Sequence, residues 1–355
     1  MDSLTHALAG AAVGVLLVRS RSPQQTMSKR LLPALFAGVI AATAPDLDYL
    51  LFPLDPSRFL AHWHRGPSHS LLLLPLWAWL LTCLLRRFSM WRPPALPLLG
   101  ICALALLSHL LLDWLNSYGI GLLSPLVDDR PALHWTFELD PLLSLGIALL
   151  LVASCLPRWR LASTAAAVAL MLYLVQLRQW QHEALALATR YRDQQGWSQA
   201  SVHAFPQPLI SSHRHLVVAT EAQYCHSYQA LSQFSLRPLF GRDNAIAAML
   251  QHYQPSAAAH WHCYSPFAST DAKAAEIQDR WQDPRLADFR AFATLPMLDQ
   301  VSATASERCL WFSDLRYNWP VLPATFRYGF CRSTDSKVWQ PYRLRYLRAH
   351  ARDAL

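Results

Sequence analysis

The stretch Ala95–Gly119, ALPLLGICALALLSHLLLDWLNSYG, decides the fold. From Ala95 to Leu115 it is apolar over about the 20 residues that a membrane-spanning helix needs. Yet its last turns carry His109 and Asp113, followed by Asn116. His109 and Asp113 are four apart, so they lie on one helix face, a turn from each other. An ionisable group in such a helix is costly unless it pairs or binds an ion. The stretch therefore predicts a membrane protein and raises the question of what meets these two side chains.

Five further apolar runs surround it: about Leu4–Val18, Leu31–Ala44, Ser70–Leu85, Leu142–Leu156 and Leu161–Leu177. They are shorter than a full span, and the competing reading is a set of core helices in a soluble all-α protein. Their arrival in series, almost without internal charge, favours the membrane. Charged residues make up only 15% of the 355-residue chain, against about 25% in soluble proteins. Mean hydropathy is only +0.14, so the apolar residues are concentrated. They fill residues 1–180, the expected transmembrane domain, while 181–355 read as a second, ordinary polar domain.

The net charge of +8 reads as topology, so no nucleic-acid partner is expected. Arg19, Arg21, Lys29 and Arg30 follow the first run; Arg86, Arg87 and Arg92 the third; Arg158 and Arg160 the fifth. The positive-inside rule makes these connections cytoplasmic. The alternate connections, rich in Asp and His, then face outward with the N-terminus. After an even number of crossings so does the C-terminal half, giving an inner membrane protein with a periplasmic domain. Trp63, Trp114, Trp135 and Trp180 fall near the outer ends, as an aromatic belt does. A cleaved signal peptide is not expected, since positive charge follows the first run rather than precedes it.

The outer side collects His6, Asp46 and Asp48 (APDLDYL), His64 and His69 (HWHRGPSHS), His109 and Asp113, then Glu138 and Asp140 (FELDPLL). Each has a plain structural alternative: a helix cap for Asp46 or Asp48, a backbone-bonded or buried histidine for His6 or His109. Together, at one level set by unrelated arginines, they predict a divalent-metal site, since imidazole and carboxylate suit zinc or a similar ion. The expected ligands are His6, Asp46, Asp48, His64, His69, His109 and Asp113. Glu138, Asp140, Ser68 and Asn116 are possible additions. Asp46, Arg65 and Asp113 are the expected catalytic residues. A carboxylate takes a proton from water, and Arg65 forks onto phosphate oxygens. Gly66 allows close backbone approach to substrate, and Ser68 or Ser70 caps the next helix. The implied reaction is metal-assisted hydrolysis of a phosphoester, either a small molecule or a lipid of the surrounding membrane. His260, His262 and Cys263 lack the spacing of a second metal site, and no Gly-x-Ser-x-Gly motif or phosphate loop competes.

The motifs MDSLTHALAG, PDLDYL, HRGPSHSLL, HLLLDWLNSYG and ELDPLL resemble, in that order, the membrane-bound metal-dependent hydrolase family often called YdjM-like, over about residues 1–145. FSDLRYNW and ATFRYGFCRS resemble a strand pair of its long-form members. The resemblance extends to zinc-dependent phospholipases C and single-strand nucleases, which implies a helical fold with clustered zinc held by His and Asp. Those enzymes add an N-terminal amine with tryptophan and a further His and His-x-x-x-Asp pair. This chain begins Met-Asp-Ser and offers only Glu138 and Asp140, so one or two ions are expected.

The second half begins helically (QHEALALATRYRDQ) and turns to aromatic, β-branched segments such as HLVVATEAQYCHSYQ and ERCLWFSDLRYNW. These predict a small α+β, β-rich domain. AIAAMLQHY and DPRLADFRAFATL predict helices. Cys225, Cys263, Cys309 and Cys331 lie here; either they form two disulfides, with three possible pairings, or they stay reduced. Two rival functions are an ion or proton translocator, which would spread polar residues through membrane depth, and a non-catalytic membrane scaffold, which would hold no metal.

Overall fold

The computed structural model describes residues 1–21, 27–88, 94–234, 244–255, 259–268, 273–336, 338–346 and 351–355. Arg92 and the side chains of Arg21 and Lys29 lie outside the described residues. The chain forms two compact units. One comprises Met1–Leu50, Trp63–Gln181 and Pro208–Ser211; the other Leu51–His62, His182–Gln207 and Ser212–Leu355.

The first unit is helical: α1 (Ser3–Arg21), α2 (Met27–Thr43), α3 (Leu74–Phe88), α4 (Ala95–Trp114), α5 (Pro141–Cys155) and the start of α6 (Trp159–Gln194). Asp2 caps α1 by accepting from the Thr5 amide at 3.0 Å, the usual role of an aspartate before a helix. α1 lies against α2 closely enough that Gly10 and Gly14 have no room for a side chain. A Cβ on Gly10 would run into the Gly38 carbonyl, and one on Gly14 into that of Ala34. Small residues let membrane helices approach in this way. Ala34, Ala37 and Ala41 of α2 and Ile101 and Ala105 of α4 are buried together. The outward faces are apolar: Phe36, Trp79, Leu149 and Leu172 are exposed. Apolar outside and polar inside is the arrangement hydrocarbon demands.

α1, α4 and α6 are long and apolar enough to cross a membrane. Two bent pairs, Arg30–Thr43 with Pro45–Leu51 (49°) and Pro56–His69 with Leu74–Phe88 (74°), raise the number of candidate spans to five among the described residues. The six runs counted from sequence thus correspond to three to five candidate spans. α5 has 15 residues, about 22 Å of helix, short of the ~30 Å hydrocarbon core. α6 runs on to Gln194 as one 36-residue helix, with no break where the apolar run ends.

The second unit holds two five-stranded sheets. In one, β1 (Ser201–Pro206), β2 (His213–Ala219), β3 (Tyr224–Ala230) and β4 (Gln254–Pro255) lie in that order, with β5 (His262–Tyr264) also on β3. In the other the order is β10-β9-β8-β7-β6, built from β6 (Pro296–Ala303), β7 (Glu307–Asp314), β8 (Arg327–Ser333), β9 (Gln340–Leu344) and β10 (Arg352–Ala354). The helices α7 (Ala245–Gln251), α8 (Ala274–Trp281) and α9 (Ala287–Phe292) complete it. Trp281 and Phe289 pack on Phe312 and Tyr328 of the second sheet. Strand register sets Cys225 opposite Cys263 and Cys309 opposite Cys331, and both pairs are disulfides. Of the three pairings open in the sequence, this is the one formed.

Candidate metal centre

Three segments bring the candidate ligands together. α4 projects His109 and Asp113 from one face, both fully buried. α2 stops at Thr43, and Pro45 opens the short 3-10 helix Pro45–Leu51 that carries Asp46 and Asp48. His69 ends the turn Pro67–His69, just before α3. One oxygen each of Asp46 and Asp113 and one ring nitrogen each of His69 and His109 all lie within 4.8 Å of one another. His69 Nε2 is 3.3 Å from Asp113 Oδ2 and 3.5 Å from Asp46 Oδ1. His109 Nε2 is 3.4 and 3.8 Å from the same two atoms. The buried Asp113 Oδ2 and both Nε2 atoms nevertheless lack a hydrogen bond. Buried polar atoms without partners are rare and call for an explanation; a cation between them supplies one.

The ring tautomers agree with this. His109 Nδ1 lies 2.7 Å from the Ala42 carbonyl. A carbonyl only accepts, so Nδ1 carries the hydrogen and Nε2 keeps a lone pair toward the cluster. Ser68 Oγ donates to Asp48 Oδ2 at 2.9 Å and therefore accepts from His69 Nδ1, also at 2.9 Å. His69 Nε2 is left basic in the same way. Outer partners that fix the metal-facing nitrogen of a histidine are a recurrent feature of metal sites.

The other expected residues take distinct places. His6, fully buried, stacks on His109 with ring centres 3.8 Å apart. Its Nε2 is 3.2 Å from Asp113 Oδ1, so it borders the cluster. His64 Nδ1 pairs with Asp48 at 3.1 Å, and the two stand beside His69 rather than within the four-residue group. The Arg65 guanidinium is buried, donating to Asn116 Oδ1 at 2.7 Å and lying 3.2 Å from Asp113 Oδ1. Tyr118 sits 4.8 Å below it. Arg65 thus faces a ligand rather than open space, held by a backbone in the left-handed region (φ 56°), a conformation costly for a residue with a Cβ. Gly66 is approached by the chain itself: the neighbouring Arg65 carbonyl accepts from the Gly121 amide at 2.8 Å. Ser70 accepts from the Leu73 amide at 3.4 Å just before α3. Glu138 and Asp140 are outside the cluster. Asp140 caps α5, accepting from the amides of Leu142 and Leu143 at 3.0 Å and from Thr136, Ser211 and Tyr173. The sequence reading did not include the Met1 amine, which meets Asp113 Oδ1, or the rings of Tyr118 and Tyr49 beside His64.

The family model for YdjM inner membrane protein matches residues 1–183, just over half of the chain. The chain belongs to the YdjM inner membrane protein family. The matched region holds every residue of the cluster, and membership places the protein in the inner membrane. No curated protein and no solved structure matches the chain.

Proposed function

We propose that the protein is an integral membrane metal-dependent hydrolase that cleaves a phosphoester, lipid-linked by preference, at the periplasmic face. The observation that carries this reading is the convergence of Asp46, His69, His109 and Asp113, the last three fully buried, with His69 Nε2, His109 Nε2 and Asp113 Oδ2 making no hydrogen bond. Those four would hold a divalent ion, and the mixed imidazole and carboxylate donors suit zinc. His6, beside Asp113, and the Asp48–His64 pair would complete the site for one ion or a second. When bound, such an ion supplies Lewis acidity, polarising the ester and making water acidic enough to attack near neutral pH.

The chain's own groups do the rest. The Ala42 carbonyl and Ser68 hold the two imidazoles with Nε2 inward. Arg65, itself anchored by Asn116 Oδ1, holds the Asp113 carboxylate in place. The Asp46 side chain is 18% exposed, whereas those of Asp113, His69 and His109 are 0%. Asp46 is therefore the carboxylate able to pass a proton to solvent. The turn that carries Asp46 and Asp48 also presents Leu47, Tyr49 and Leu50 outward, 63%, 52% and 76% exposed. An apolar collar on the ligand turn supports a substrate held partly in lipid. The two disulfides support an oxidising compartment.

The test uses detergent-purified protein with bis(4-nitrophenyl) phosphate and with a diacyl phospholipid in mixed micelles. Hydrolysis that a chelator abolishes, zinc restores, and Asp46→Asn and His109→Ala lose supports the reading. Equal rates for wild type and both variants contradict it.

A further inference from the structure

The strand pairing that forms the Cys225–Cys263 disulfide also sets His226 of β3 directly opposite His262 of β5. Directly opposed residues share one face of a sheet, so the two imidazoles stand side by side, with ring centres 6.1 Å apart. Successive residues of a strand point to opposite faces. The disulfide therefore fastens the neighbouring rung from the other side. His262 is exposed and His226 half-buried. Behind His226, the fully buried His215 of β2 places its Nε2 3.0 Å from His226 Nδ1. His215 is itself stacked on Tyr228, with ring centres 4.2 Å apart, and Tyr228 donates to the Asn318 carbonyl at 3.2 Å. With Nδ1 engaged by His215, the His226 ring turns Nε2 away from this buried partner.

We propose that His226 and His262 form a metal-ion site of the β-rich unit itself, taking a divalent transition ion and copper(II) most tightly. The site stands independently of the metal-dependent reading above. An imidazole nitrogen about 2.0–2.1 Å from an ion puts that ion about 3 Å from the ring centre, so two rings sharing one ion stand about 5–6 Å apart. The observed 6.1 Å is at the upper end of that range, and the exposed His262 needs only a small turn to close it. The pair is preset from two sides. The disulfide locks the two strands in register, and His215 holds the His226 ring, as outer partners of ligating histidines do. Ligands ordered in advance lower the entropic cost of binding. Imidazole suits copper, nickel and zinc, and copper stands highest in the affinity order of these divalent ions. Zinc, lower in that order and held here by two protein ligands instead of four, is lost on dialysis. Because the site joins two strands, the spacing of His260, His262 and Cys263 along the chain conceals it.

The experiment is a copper(II) titration of the full chain, purified in detergent through a tag without histidine, read by electron paramagnetic resonance and by competition with a chelator. The parent carries His109→Ala, which keeps the four-residue cluster of the helical unit out of the measurement, and the series is repeated without that change. The parent is expected to bind copper with nitrogen splitting from two imidazoles. His226→Ala and His262→Ala are each expected to weaken binding about a hundredfold, the order of gain that a second tethered contact brings. His215→Phe keeps a ring against Tyr228 but releases the His226 ring, and is expected to weaken binding about tenfold. His252→Ala, at an exposed histidine elsewhere in the same unit, is expected to stay at the parent value. His262 is exposed, so its replacement leaves the fold intact, and parent affinity in His262→Ala overturns the proposal. So does a loss confined to one of His226→Ala and His262→Ala, because the ion would not be shared. An equal loss in His252→Ala, or a parent that takes up no copper, overturns it as well.

Discussion

Ser68→Ala isolates one physical element of the metal centre. The hydroxyl makes two hydrogen bonds of 2.9 Å, donating to Asp48 and accepting from His69 Nδ1. It is the hydrogen-bond partner that sets which nitrogen of His69 carries the proton. Removing it leaves the His69 ring in place, packed 4.8 Å from His109, but with its tautomer unassigned. Loss of an outer partner of a ligating histidine costs about 10–100-fold in metal affinity, or about 1.4–2.7 kcal/mol. The fold should lose only about 1 kcal/mol per hydrogen bond, so a variant that still folds but binds zinc poorly is expected. Zinc competition measures the first quantity and thermal unfolding in detergent the second. Ser68→Thr, which keeps the hydroxyl, should restore affinity. Zinc binding within twofold of wild type in Ser68→Ala would refute the tautomer argument, provided His109→Ala binds none.

Other outcomes follow from the same structure. Asp113→Ala leaves the buried Arg65 guanidinium without its carboxylate and should cost about 3–5 kcal/mol of stability. Pairing Asp113→Leu with Arg65→Leu should recover much of that stability while restoring no zinc binding, read by thermal unfolding and titration. Reducing the disulfides, which close loops of 38 and 22 residues, should remove about 3–4 kcal/mol each in the chain-entropy picture. Alkylation mass shifts should show all four cysteines protected until a reductant is added. Burial lowers His213 and His226 of the β-rich unit to about 4, from an unfolded value near 6.5. Below pH 6.5 the unfolded chain takes up protons that the fold refuses. Their contribution is therefore complete above pH 6.5 and lost as pH falls toward 4, and the unit should unfold at a lower temperature at pH 5 than at pH 7.5.

Much of this was legible in the sequence because the carriers are local. The four-residue spacing of His109 and Asp113 specifies a shared helix face, and Pro45 between α2 and Asp46 ends the helix where a ligand turn begins. The β signals of residues 215–229, 307–319 and 324–333 became β2, β3, β7 and β8. The remainder depends on distant partners. Asp140 stands before Pro141, a start-of-helix signal as much as an acid in the outer layer, and only its contacts with Ser211 and Tyr173 show where it is spent. Arg65 carries a phosphate-binding side chain, but its burial beside Asn116 and Asp113 turns it toward a ligand. The disulfide pairing required strand register, which four scattered cysteines do not encode. The six apolar runs correspond to three to five candidate spans among the described residues, because the second and third runs belong to pairs bent by 49° and 74° and the fifth becomes a helix of only 15 residues, features that an apolar composition does not reveal.

Metal content tests the central claim most directly. Full-length protein, purified in detergent without chelators and equilibrated with zinc, is dialysed and measured by inductively coupled plasma mass spectrometry beside His109→Ala and Asp113→Ala. The account predicts one or two zinc ions per wild-type chain and loss of zinc in both variants. Wild-type protein holding no more zinc than the two variants would contradict it.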